Sequence, residues 1–187
     1  GREALGLTLT QSNPSWDEGH ITAAAFDFDN DGLQDLYLGG TDYPGNRGHL
    51  YHNVSTSGAP RFEEVSIDDA FEHNRSHGVV SGDFDRDGDL DLIVAVFGLS
   101  YTDGSVDPFQ SVLLLNDGAG QLYEANASFL EGVPLSPSAH FEPVDLERDG
   151  RLDMLECAAE GASRLWRQRQ EPQLPEVCVD VLLESKY

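Results

Sequence analysis

Asp83-Phe84-Asp85-Arg86-Asp87-Gly88-Asp89-Leu90-Asp91 carries side-chain carboxylates at positions 1, 3, 5 and 9 of a short run, with glycine at position 6. Alternate residues of a tight loop point inward together, and a hard cation such as Ca2+ takes about six to eight oxygens at about 2.3–2.6 Å. Gly88 permits the sharp turn because it has no Cβ, and the Asp89 carbonyl supplies the position-7 oxygen. The pattern recurs at Asp27, Asp29, Asp31 and Asp35, with Gly32 at the turn and Leu33 at position 7. It recurs again at Asp145, Glu147, Asp149 and Asp153, with Gly150 and Arg151 in those places. The first aspartates lie 56 residues apart (27 to 83) and then 62 (83 to 145). One such loop is cheap in an acidic chain. Three in register, flanked by similar apolar runs, predict up to three Ca2+ sites.

The surrounding composition fits that chemistry. The 187-residue chain has 34 acidic against 11 basic residues, a formal net charge of −23. Such a field repels nucleic-acid backbones and anionic membranes, and no apolar run approaches the roughly 20 residues that span a bilayer. Loops of this type fill best where Ca2+ is millimolar, which points outside the cell or to the periplasm. The sequons at Asn53, Asn74 and Asn126 agree with secretion. The start at Gly1-Arg2-Glu3 suggests a mature chain or an excised fragment.

The loops need elements to hold them, and the flanks read as strands. Leu5–Thr10 alternates, and residues 10–19 are a polar connector with Pro14 and Trp16. His20 to Phe28 leads into the first loop and Leu36-Tyr37-Leu38 leads out, followed by runs at His49–Val54 and Arg61–Ser66. The second unit repeats the order with Gly78–Phe84, Leu90–Phe97, Ser111–Asn116 and Gln121–Ala125. Asn116-Asp117-Gly118-Ala119-Gly120 supplies its last hairpin turn. The third has His140–Leu146, Leu152–Cys157, Ser163–Trp166 and Val177–Leu183. Helical periodicity is absent. Leu90 to Val96 is nearly continuously apolar, as a strand covered on both faces must be. Four-stranded units of about 60 residues stacked face to face predict an all-β chain of three propeller-type blades, part of a larger propeller of four to eight. The divisions are 1–19 (end of a preceding unit), 20–76, 77–138 and 139–187.

An EF-hand shares the first half of these loops but needs flanking helices and a bidentate Glu at position 12. That position is Leu38, Val94 and Glu156 in the three loops, so only the third complies. Ala25-Phe26-Asp27-Phe28-Asp29-Asn30-Asp31-Gly32 and Ser81-Gly82-Asp83-Phe84-Asp85-Arg86-Asp87-Gly88 instead resemble the FG-GAP/VCBS repeats of integrin-α-type β-propellers. Asn116 to Tyr123 is similar to that family's turn between third and fourth strands. Arg61 to Ser66 resembles the cartilage acidic protein group less specifically. The third unit departs most, with Glu147 for the usual Asp and Glu142-Pro143 in the lead-in strand.

With the acidic loops on one face, the longer segments 10–19, 39–48, 66–76, 98–110 and 126–138 fall on the other, displaying Trp16, Tyr43, Tyr101, Asp103 and Phe109. Variable loops on a rigid scaffold carry function, and the resemblance makes that face the ligand face. His20, His77 and His140 open the innermost strands, but their offsets from the loops differ in parity, so they do not all share one side. Cys157 and Cys178 are candidates for a disulfide, although a second-to-fourth-strand span of about 9.6 Å opposes one. No catalytic motif stands out. The expected function is an extracellular, Ca2+-stabilised module binding a protein or glycan ligand; the alternative is an accessory or partial catalytic domain of a secreted enzyme acting on carbohydrate or lipid. Exposed flanks at Ala23, Ala25, Leu155 and Val179 predict self-association or a companion chain that supplies missing blades.

Overall fold

The computed structural model describes residues 5–7, 22–40, 48–65, 76–96, 111–125, 135, 138–158 and 162–168, with Ala139 described by its backbone alone. These residues are all-β. Every pairing is antiparallel, and each sheet is a simple meander of strands adjacent in sequence. The first sheet holds β1 (Thr22–Phe26), β2 (Asp35–Gly39), β3 (His49–Asn53) and β4 (Phe62–Val65). The second holds β5 (Ser76–Gly82), β6 (Asp91–Val96), β7 (Val112–Asn116) and β8 (Leu122–Glu124). The third holds β9 (Ser138–Val144), β10 (Asp153–Ala158) and β11 (Arg164–Trp166). β5 lies beside both β1 and β9, so the three sheets meet along their first strands.

β6 explains why the sheets stack. All six of its residues are buried. Side chains of a strand alternate between faces, and the two faces of β6 enter two different cores. Leu92, Val94 and Val96 join Phe26, Phe28, Tyr37 and Leu50 of the first sheet. Ile93 and Ala95 join Phe141, Met154 and Trp166 of the third, together with Leu135. The near-continuous apolar run therefore marks a sheet sandwiched between two others.

In the first two loops the residue after the first aspartate is the wedge between sheets. Phe28 is 2% exposed and packs among second-sheet side chains; Phe84 is 3% exposed and packs against the third. Leu146, the equivalent residue of the third unit, is 48% exposed.

Two expectations change. Leu5–Gly6–Leu7 is a short turn rather than part of a strand. Gly6 adopts φ 78° and lies so close to the Phe62 carbonyl that a Cβ there would overlap it, which bends the chain out of an extended path. Cys157 is a free, half-buried thiol on β10. Cys178, the Val177–Leu183 strand, Val179, residues 8–21 and the aromatics Trp16, Tyr43, Tyr101 and Phe109 lie outside the described residues, as does Asp103.

Wedge position should govern mutational cost. Phe28→Ala or Phe84→Ala is expected to lose about 3–5 kcal/mol in urea unfolding, whereas Leu146→Ala should stay within about 0.5 kcal/mol. Equal losses at Leu146 and Phe84 would refute the wedge assignment.

Candidate metal centres

Each acidic loop joins the first strand of its sheet to the second. Both Gly and non-Gly residues turn it. Position 6 has φ 86° at Gly32, 99° at Gly88 and 81° at Gly150, and position 4 is left-handed too, at Asn30 (61°), Arg86 (67°) and Arg148 (58°). These turns bring backbone N–H groups onto the carboxylates. Gly32 N–H donates to Asp27 Oδ2 at 2.9 Å and Leu33 N–H to Asp31 Oδ1 at 2.7 Å. In the second loop Asp87 N–H donates to Asp85 Oδ1 at 3.2 Å, and Asp89 N–H to Asp87 Oδ1 at 2.9 Å.

The position-9 aspartate closes the loop from inside the sheet. Asp91, fully buried, accepts from Phe84 N–H at 2.7 Å on one oxygen and from Asn116 N–H at 2.9 Å on the other. Asp35 accepts from Phe28 N–H at 3.0 Å and Asn53 N–H at 2.7 Å. Asp153 keeps only the second bond, from Gln168 N–H at 3.1 Å, and its buried Oδ2 has no hydrogen-bond partner. The exposed Leu146 accompanies that loss.

Two loops gather carboxylates as a cation needs. Ligand oxygens of Asp27, Asp29 and Asp35 lie within 4.8 Å of one another, as do those of Asp83, Asp85 and Asp91. Asp83 Oδ1 is buried with no hydrogen-bond partner, an arrangement that fits a cation ligand. Burial pushes Asp91 up to about 7 against the pull of its two N–H donors, and Asp85 and Asp87 add to the rise. Burial likewise raises Asp85 and Asp35. The third loop differs. The Gly150 N–H holds Asp145 below the usual carboxylate range, Arg151 pairs with Asp149, and Arg167 pairs with Glu147. Among the described residues, its acids form no group of three converging ligands.

Several participants were not foreseen. His52 on β3 reaches Asp29 at 2.8 Å and Asp31 at 3.6 Å, and its ring meets Phe28 edge-on. Asn116 Nδ2 donates to the Phe28 carbonyl of the preceding sheet at 2.7 Å, and Gln168 Nε2 does the same to Phe84 at 2.6 Å. Asn30 Nδ2 donates to Asp89 Oδ1 at 2.7 Å, joining the first two loops directly. Asn53, noted above only as a sequon, donates to the Gln34 carbonyl at 2.7 Å and accepts from Ser55 N–H. Its amide is part of the loop support.

Glu156, the one residue at the EF-hand's position 12, is fully buried and bound by Ser138, Arg164 and the Trp166 indole N–H at 2.7–2.9 Å. The flanks are strands. The EF-hand reading is excluded. His140 pairs with exposed Glu142 at 3.2 Å, and no metal-type group among the described residues includes His77 or His140. His20 lies outside the described residues.

Residues 11–94 match the family model of the FG-GAP-like repeat. That stretch is FG-GAP-like repeat sequence. The matched stretch runs through the first two acidic loops, where the carboxylates converge, and stops before the third. No curated protein matches the chain.

Burial of Asp91 has a pH signature. The folded, cation-free chain keeps this proton to about pH 7, while the unfolded chain releases it near the ordinary value of about 3.9. The associated stability is complete below about pH 4 and lost as pH rises through 7. Chelated protein should melt higher at pH 5.5 than at pH 8, and Asp91→Asn should flatten the slope. A melt that rises with pH in chelator, unchanged by Asp91→Asn, would contradict this. Separately, exposed Arg86 in a left-handed conformation carries backbone strain, so Arg86→Asn should gain up to about 1 kcal/mol in chemical denaturation.

Proposed function

We propose that the FG-GAP sheets are propeller blades of an extracellular module that binds a protein or glycan ligand, with Ca2+ as a structural cofactor in the acidic loops. The observation that carries the Ca2+ reading is the second loop: Asp83, Asp85 and Asp91 converge around a buried carboxylate oxygen with no protein partner. Asp87 and the Asp89 carbonyl complete the candidate donor set there, and Asp27, Asp29, Asp31, Asp35 and the Leu33 carbonyl are its counterparts in the first loop.

Bound Ca2+ would supply positive charge where carboxylates otherwise repel one another. The chain's own residues do the rest. Asp91 ties the loop to β6 and, through the Asn116 N–H, to β7. Phe28 and Phe84 carry loop geometry into the packing between sheets. A stiff scaffold of this kind presents variable loops on its opposite face. The partner proposal follows from the exposed side chains of Ala23 and Ala25; Leu155, expected to be exposed with them, is half-buried, and Leu146 is exposed. A further blade, from a second copy or a companion chain, would pack on such flanks.

Metal removal tests the cofactor. A cation that binds only the folded state adds RT ln(1 + [L]/Kd), about 2.7 kcal/mol per site at a hundredfold excess over Kd. EDTA should lower the melting temperature by several degrees, and Ca2+ should restore it better than Mg2+. An unchanged melt would sink the reading. In Ca2+, Asp85→Ala should remove about 2–3 kcal/mol, most of one site's contribution. Glu147→Ala, which breaks only a half-exposed ion pair, should cost less than about 1 kcal/mol.

A further inference from the structure

The N–H that closes each buried position-9 aspartate belongs to Asn53, Asn116 and Gln168. The pairings Leu36↔Tyr51, Leu92↔Leu114 and Met154↔Trp166 put the third strands of the three sheets in one register. His52, Leu115 and Arg167 therefore occupy equivalent places, one residue before the closing N–H. In the first and third sheets that side chain meets position 3 of its own loop. His52 Nε2 lies 2.8 Å from Asp29, and the Arg167 guanidinium contacts Glu147. Leu115 is 5% exposed and belongs to the core between the second and third sheets.

We propose that this position, joined in the third loop by Arg151, decides which cation each loop takes. The proposal rests on the reading of the loops as cation sites and deepens it. Beside Leu115 the second loop offers oxygen alone, the donor set of Ca2+. Beside His52 the first loop gains an imidazole nitrogen: Asp29, Asp31 and His52 place ligand atoms within 4.8 Å of one another. Imidazole suits Zn2+ and its neighbours, whereas carboxylate and carbonyl suit Ca2+. The first loop thus takes Zn2+ in preference to Ca2+ when both are supplied. Beside Arg167 the third loop carries its own fixed charge, since a guanidinium does not deprotonate in proteins. Arg151 on Asp149 adds a second. A divalent ion entering there would meet two cations already on its ligands. The third loop takes none.

The spacing of acids in the sequence treats the three loops alike; the residue across the sheet separates them. Its effect is local, so each loop can be tested by its own variant.

Native mass spectrometry and calorimetric titration of the full chain with Ca2+ and Zn2+ test this. The folded wild type should bind two Ca2+, and added Zn2+ should displace one of them. His52→Leu and His52→Gln should weaken that displacement at least tenfold while still binding two Ca2+. Gln keeps a polar hydrogen-bonding group there, so a shared loss identifies the nitrogen donor rather than packing. Arg167→Leu combined with Arg151→Leu should raise the Ca2+ count from two to three. Displacement that survives both His52 variants, or a count of two in the folded Arg167→Leu/Arg151→Leu protein, overturns the proposal. A folded wild type that binds no ion overturns the cation reading itself; ions that bind but ignore these variants overturn this inference alone.

Discussion

A buried carboxylate at the start of each second strand is the constraint on which the rest of the structure depends. Burying a polar group is costly unless its atoms are hydrogen-bonded. Asp35 and Asp91 meet that demand with backbone N–H groups from two places at once, one inside the acidic loop and one at the end of the third strand. The loop cannot open, and the third strand cannot slip, without leaving an acceptor unpaired. Asp35 and Asp91 therefore belong both to the converging carboxylates of their loops and to the bonds that hold their sheets together.

The constraint extends between sheets. The Phe28 N–H serves Asp35, its carbonyl accepts from Asn116 of the next sheet, and its ring is buried in the core between them. Gly120 lies over that ring so closely that a Cβ would sit 2.9 Å from it. Phe84 repeats the arrangement with Asp91 and Gln168. In the third unit Leu146 is exposed and Asp153 loses one of its two bonds. The arginines on Asp149 and Glu147 answer the charge of that loop from within the protein.

Much of this was legible in the order of residues, because spacing is a one-dimensional signal. Carboxylates at 1, 3, 5 and 9 with glycine at 6 located the loops, the run Leu90–Val96 located a strand covered on both faces, and Asn116 to Gly120 located the β7–β8 hairpin. The first strand is shorter than read, and Leu5–Leu7 turns away because of its glycine. The missed participants share a cause. His52 and Arg167 lie 23 and 20 residues from the carboxylates they touch, Asp29 and Glu147. Only strand register brings them together, and register is not visible before the sheet exists. Asn53 was read from its local triplet, which says nothing of the Gln34 carbonyl it meets across the sheet. Glu147 for Asp did flag the third loop, though the arginine that answers it lies on another strand.

Amide hydrogen exchange, resolved residue by residue, tests the buried aspartate most directly. If that carboxylate clamps loop to strand, the Phe28, Phe84, Asn53 and Asn116 N–H groups should exchange as slowly as the interior of β6, although Phe28 and Phe84 sit in loops. The Leu146 N–H, which makes no such bond in the structure, should exchange orders of magnitude faster. Exchange at Phe84 as fast as at Leu146 would show that the clamp does not hold and would contradict the account.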